Sequence, residues 1–88
     1  MGTKILRMPT IIVECGRSRS SHYLDIKLGL FTKPVPIGRR AVGWPSNEVS
    51  AINAFRIAGK TPDEIRDLVI KLEADRKILA LVGVNHDQ

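Results

Sequence analysis

The chain has 88 residues, 43% of them hydrophobic and 26% charged, which fits one small folded domain and argues against a disordered chain. Its net charge of +5 is unevenly spread, since residues 1–44 hold eight basic and two acidic side chains whereas residues 45–88 hold six and seven. A focused basic half favours a polyanionic partner, and no apolar run reaches the roughly 20 residues of a membrane span.

Two short segments joined by a glycine-containing turn are predicted to form a helix-turn-helix. The first runs from about Pro9 to Cys15, although its Ile-Ile-Val run is equally typical of a strand. Gly16 ends it, and a second helix with Ser18 as N-cap candidate continues to Leu28. Its polar side chains are those that a major-groove helix directs at bases and phosphates; the candidates are Arg17, Ser18, Arg19, Ser20, Ser21, His22 and Lys27.

Some assignments on this second helix stay open. Ser18 either contacts DNA or only caps the helix, and His22 either faces DNA or makes a structural contact. Arg17 and Lys27 are expected to contact phosphates, which positions a protein without reading sequence. Tyr23 is expected in the core, although its hydroxyl could reach a phosphate.

The next segment is predicted to be a β-hairpin, the wing of a winged helix. Residues 33–37 contain two prolines, which exclude a helix and suit an edge strand, and residues 41–44 form a second short strand. Arg39 and Arg40 lie at the predicted tip, where arginines can contact the DNA backbone or the minor groove. The alternatives are a solvated basic turn, or one arginine bracing the hairpin. Trp44 is expected in the core.

Two further helices are predicted towards the C-terminus. Ser46 is the N-cap candidate of the first, which ends at Gly59. Thr61 and Glu64 form a capping box around Pro62, and the second helix should run to about Leu81. Its apolar stripe either forms a dimer face with a second copy or folds back to complete a monomer core; the stripe contains Ile65, Leu68, Val69 and Leu72.

The sequence contains no set of side chains that fits a catalytic, cofactor or metal site. Cys15, His22 and His86 are its only thiol and imidazole groups, and it has no glycine-rich phosphate loop. We therefore expect a protein that is not an enzyme and that binds neither cofactor nor metal. Cys15 cannot form an internal disulfide, which indicates a reducing, cytoplasmic setting, and we expect it to be a small buried residue.

Three motifs occur in one order along the first part of the chain: Arg7-Met8-Pro9, the run of residues 16–23 (Gly-Arg-Ser-Arg-Ser-Ser-His-Tyr) and the run of residues 31–44 that ends in Trp44. Through them the stretch from Arg7 to about Ala58 resembles the AlpA family of phage and prophage regulators, which are excisionase-like proteins with a MerR-type winged helix-turn-helix. Three features depart from the family pattern. Thr32 stands where proline is common, the first helix is unusually β-branched, and the helix from Thr61 extends past the usual end.

The resemblance implies a mainly α fold with a small β-hairpin wing. A winged helix-turn-helix domain would cover residues 1–59, an added C-terminal amphipathic helix residues 60–82, and a frayed tail residues 83–88. Arg19 and Ser20 match positions where family members meet DNA.

The resemblance also implies a function on double-stranded DNA. The leading hypothesis is an excisionase that bends attachment-site DNA for the tyrosine integrase of a mobile element. The alternative is a transcriptional activator of an integrase gene. A hypothesis of another class is a protein-interaction module that uses the C-terminal helix, and a homodimer or a cooperative assembly on DNA is also considered.

Overall fold

A computed structural model describes residues 4–86, with side chains through residue 78. These residues form four helices and a small antiparallel sheet, an architecture compatible with a winged helix-turn-helix. In chain order the elements are β1 (Ile5–Leu6), α1 (Met8–Cys15), α2 (Arg19–Lys27), β2 (Val35–Pro36), β3 (Val42–Pro45), α3 (Ser46–Ile57) and α4 (Pro62–His86). None of the described helices is long and apolar enough to cross a membrane.

The segment that the sequence left open between helix and strand is the helix α1. Pro9 occupies its first turn, and Gly16 ends it with a φ of 65°, a left-handed conformation that favours glycine. Ser18 then caps α2 by accepting a hydrogen bond from the backbone N–H of Ser21 at 3.1 Å. A turn of three residues therefore joins the two helices. Gly16 fixes its start and Ser18 fixes its end.

The sheet has three strands in the order β1-β3-β2, and β1 was not predicted. Leu6 of β1 pairs with Trp44, and Val35 of β2 pairs with Gly43, so β3 is the central strand. Gly43 is required at this position, because a Cβ there would overlap the side chain of Ile5 and the carbonyl of Leu6. The sheet thus ties the start of the chain to the β2–β3 hairpin.

The core lies between the sheet and the helices. Trp44 and Ile11 are fully buried, and the Trp44 indole N–H donates to the Thr32 carbonyl at 2.9 Å. Tyr23 was expected in this core, but 46% of it is exposed. Tyr23 follows the buried His22 on α2. Neighbouring residues of a helix point in different directions, so the ring of Tyr23 points outward.

The first half of α4 packs back onto the core. Ile65, Val69 and Leu72 are all at most 9% exposed, and Leu68 is partly buried against them. Ile65, Val69 and Leu72 therefore belong to the core of one chain, which agrees with the monomer-core alternative, while a dimer stays a prediction.

The start of α4 has the hydrogen bonds of a capping box. The N–H of Glu64 donates to the Thr61 hydroxyl at 3.2 Å, and the N–H of Thr61 donates to the Glu64 carboxylate at 2.9 Å. The backbone hydrogen bond from Thr61 lowers the pKa of Glu64. The helix runs to His86, past the predicted end at Leu81 and through most of the predicted tail of residues 83–88. Residues 87 and 88 lie outside the described residues.

Helix α3 begins differently from the prediction. The N-cap position is Pro45, and no side chain caps it. The Ser46 hydroxyl instead accepts a hydrogen bond from the backbone N–H of Lys4 at 3.0 Å. This happens because β1 pairs with the end of β3, which brings residue 4 beside the helix start.

One buried carboxylate connects α3 to α4. Glu48 of α3 receives two hydrogen bonds from Arg76 of α4, at 2.7 and 2.6 Å. Arg76 also donates to the Lys33 carbonyl, while the N–H of Lys33 donates to Glu73 of α4. Helix α4 therefore holds both backbone polar groups of a residue at the base of the hairpin.

Candidate nucleic-acid interface

The eight arginines of the chain fall into two groups. Four of them bond to carboxylates of the fold: Arg17, Arg56, Arg66 and Arg76. The other four are exposed and have no carboxylate partner among the described side chains: Arg7, Arg19, Arg39 and Arg40. All four of these belong to the segment before α1, the start of α2 or the tip of the hairpin.

Three of the four unpaired arginines line one open groove. Arg7, Arg19 and Arg40 line it together with the exposed ring of Tyr23, and its lining contains no acidic residue. The groove runs between the start of α2 and the hairpin, so the two predicted DNA-binding elements share one positively charged surface. Such a surface can neutralise phosphates and offers hydrogen-bond donors in the fixed fork of the guanidinium group.

The start of α2 presents a short polar face. Arg19 and Ser20 are exposed, as is Lys27 at the other end of the helix. Ser18 and Ser21 are engaged with each other through a hydroxyl–hydroxyl hydrogen bond of 3.0 Å in addition to the cap. Fewer side chains of this helix are therefore available to contact DNA than the sequence predicted.

The structure contradicts the prediction that His22 faces DNA. Its ring is fully buried, 4.6 Å from the centroid of Phe31 and 4.8 Å from that of Trp44, in edge-to-face geometry. Neither ring nitrogen has a hydrogen-bond partner among the described residues, and burial lowers the pKa of the imidazole. The physical reason is the position along α2: His22, Asp25 and Ile26 share the inner face, and Phe31 and Trp44 cover His22. Arg19 has the same helical spacing but is the first residue of the helix, where its side chain is exposed.

Arg17, predicted as a phosphate contact, has a partner inside the fold. Its guanidinium lies 2.8 Å from the carboxylate of Asp25, which is 5% exposed. Arg56 of α3 binds the same carboxylate at 3.2 Å. This shared ion pair joins the helix-turn-helix to α3, so Arg17 serves the packing of the helices.

The sequence prediction gave no role to one side chain of the groove and favoured the core for another. Arg7 stands in the first of the three motifs, which was noted as a pattern and given no role. Tyr23 was assigned to the core because it falls at helical spacing with Leu24 and Leu28, but all three are exposed. The signal for Arg7 was available in the motif, whereas the orientation of Tyr23 depends on how α2 is rotated against the sheet.

No group of three or more His, Cys, Asp or Glu side chains in the described part of the chain could hold a metal ion. Cys15 is half-buried, and burial raises the pKa of its thiol, which keeps the side chain a weak nucleophile. The chemistry that this surface offers is therefore anion binding by guanidinium and hydroxyl groups.

Comparison with known proteins gives a consistent result. The family model of the prophage CP4-57 regulatory protein (AlpA) matches residues 4–56. An uncharacterized protein ORF88 of Enterobacteria phage P4 is 42% identical over 57 residues, which is 65% of each chain, so the chain spans just under two thirds of that relative. No solved structure matches. Because the family model covers more than half of the sequence, the chain belongs to the AlpA family of prophage regulatory proteins.

Proposed function

We propose that this protein binds double-stranded DNA, with the start of α2 in the major groove and the β2–β3 hairpin as a wing on the backbone or in the minor groove. The observation that carries the proposal is the distribution of the arginines. Four arginines are bonded to carboxylates of the fold, whereas those on α2 and the hairpin tip are exposed and unpaired among the described side chains. Exposed, unpaired guanidinium groups on two adjacent elements fit the spaced phosphates of a duplex.

Within this interface the residues divide by task. Arg19 and Ser20 are exposed at the start of α2, from which a helix reaches base edges and phosphates. Ser20 is proposed to read sequence, and Arg19 is proposed to fix the register in which this turn meets the bases. Arg39, Arg40 and Lys27 are proposed to contact the backbone. Ser18 and Ser21 support this surface by fixing the first turn of the helix.

The proposed biological role is that of an excisionase, which bends attachment-site DNA so that a tyrosine integrase favours excision. Three points support it: membership of a prophage regulatory family, a small basic domain, and a groove lined by arginines of both α2 and the hairpin. Bending DNA costs deformation energy, which the additional contacts that a bend permits can repay.

Sequencing of captured DNA tests this role. Purified protein is mixed with sheared DNA from its own genome at physiological salt, and the retained fragments are sequenced. An excisionase enriches repeated sites beside an integrase attachment site. Enrichment confined to an integrase promoter would instead assign the protein as a transcriptional activator, and no enrichment would exclude sequence-specific DNA binding.

A further inference from the structure

The groove between α2 and the hairpin has a third wall that the proposed function does not use. This wall is the segment before α1, which contributes Arg7. Arg7, Arg19 and Arg40 come from three separate parts of the chain and line the same open space without an acidic neighbour in its lining. The three guanidinium groups repel one another, whereas an anion bound in the groove is attracted to each of them.

The backbone of Arg7 is fixed on both sides. Leu6 pairs with Trp44 in the sheet, Met8 is 7% exposed in the core, and the carbonyl of Arg7 accepts the first hydrogen bond of α1 from Ile11 at 3.0 Å. The Arg7 side chain, by contrast, is exposed and has no hydrogen-bond partner among the described residues. A long cationic side chain on a rigid base loses less entropy on binding than one on a mobile terminus.

We propose that Arg7, Arg19 and Arg40 together bind one phosphate of the DNA backbone, with the Tyr23 hydroxyl as an additional donor. The inference rests on the proposed DNA binding and adds a site to it. A phosphate fits because its oxygens match the planar donor fork of arginine, and several forks can share one phosphate. The site positions the start of α2 and the hairpin relative to each other on DNA and reads no sequence itself.

The test uses the full chain and a duplex of random sequence, with binding followed by fluorescence anisotropy at several salt concentrations. Arg7→Gln is compared with Lys77→Gln, which makes the same charge change on α4, outside the groove lining. We expect Arg7→Gln to weaken binding about tenfold, Arg7→Lys to weaken it less, and Lys77→Gln to change it about twofold or less. Circular dichroism confirms that each variant is folded.

A triple variant distinguishes one shared phosphate from three separate ones. When Arg7, Arg19 and Arg40 are all changed to Gln, the slope of log affinity against log salt should fall by about 1, since each phosphate contributes about 0.9. A fall of about 3 would mean three phosphates and would overturn the shared site. If the wild-type protein binds the duplex but Arg7→Gln behaves like Lys77→Gln, Arg7 has no part in binding while the proposed function stands. Failure of the wild-type protein to bind any duplex would remove both.

Discussion

At the scale of single residues, side chains that are close in the sequence differ sharply in burial and in ion pairing. Arg17 and Arg19 are two positions apart, yet the first is bonded to Asp25 and the second is exposed without a carboxylate partner among the described residues. His22 and Tyr23 are adjacent, yet the first is fully buried and the second is 46% exposed. Helix rotation and available partners, more than residue type, decide which side chains reach a ligand.

The buried His22 makes a prediction about pH. Burial lowers the pKa of its imidazole from the ordinary value of 6.5, an effect that nearby Arg56 and Arg17 reinforce and Asp25 opposes. Below about pH 6.5 the unfolded chain therefore binds a proton that the folded chain does not, so this contribution to stability is complete above that pH and falls as the pH drops. The slope is at most about 1.4 kcal/mol per pH unit.

Urea unfolding at pH 7.5 and at pH 5 measures this effect. The loss of stability on acidification should be smaller in His22→Phe, which keeps an aromatic ring beside Phe31 and Trp44 and cannot titrate. Comparing the two proteins cancels the other titrating groups that they share. An equal loss in both would show that His22 does not carry the effect.

Gly43 gives a second prediction at this scale. A methyl group there meets the Ile5 side chain and the Leu6 carbonyl, so Gly43→Ala should lower the free energy of unfolding by about 1–3 kcal/mol. Gly38→Ala is the matched control, since its added Cβ has only an ordinary contact of 3.7 Å with Ala41. Urea unfolding of both variants checks the prediction, and similar stabilities would argue that β1 is not packed against β3 as described.

At the scale of elements, local signals in the sequence predicted the helices well where a cap or a breaker fixes the chain. Gly16, Ser18 and the pair Thr61 and Glu64 all act as the sequence indicated. The strand β1 was missed because two residues are too few to show an alternating pattern, and it exists only through pairing with β3. Ser46 was misassigned as a cap for the same reason, since its partner Lys4 is far away in the sequence.

Mutation of the buried ion pair between Glu48 and Arg76 can test the contact between α3 and α4. Glu48 has 2% of its side chain exposed, so Arg76→Met leaves a buried carboxylate without its guanidinium partner. We expect a loss of about 3–5 kcal/mol in the free energy of unfolding. The matched control is Lys71→Met, whose pair with Asp75 is exposed and should contribute about 0–1 kcal/mol.

Chemical denaturation compares the two variants directly. A combined Glu48→Leu and Arg76→Leu variant should recover part of the loss, because no lone charge remains buried. Should Arg76→Met prove as mild as Lys71→Met, α4 would not be anchored through Glu48.

At the scale of the whole molecule, α4 completes the fold. Its inward side chains Ile65, Val69 and Leu72 contribute about 1.5–3 kcal/mol each when buried, which together approaches the 5–15 kcal/mol that stabilises a typical domain. The sequence alone could not choose between this packing and a dimer face, because an apolar stripe has the same pattern in both. The choice depends on the long-range fit between α4 and the core, chiefly α3.

A chain that ends at Gly59 should therefore fail to unfold cooperatively on heating, as followed by circular dichroism. The control is a chain that ends at Ile78, which keeps Ile65, Val69, Leu72 and Arg76 and should show a cooperative transition. A sharp transition in the shorter chain would mean that residues 1–59 fold independently and that α4 is an appendage free to bind partners.

The salt dependence of binding shows whether the exposed arginines on α2 and the hairpin bind duplex DNA. We predict that affinity falls steeply with salt, and that Arg39→Ala with Arg40→Ala weakens binding to all duplexes and lowers the slope by about 1, since Arg7 and Arg19 still hold the phosphate of Arg40. Arg19→Ala should in addition reduce discrimination between captured and random sequences. Binding that is insensitive to salt, and unchanged in both variants, would contradict the account.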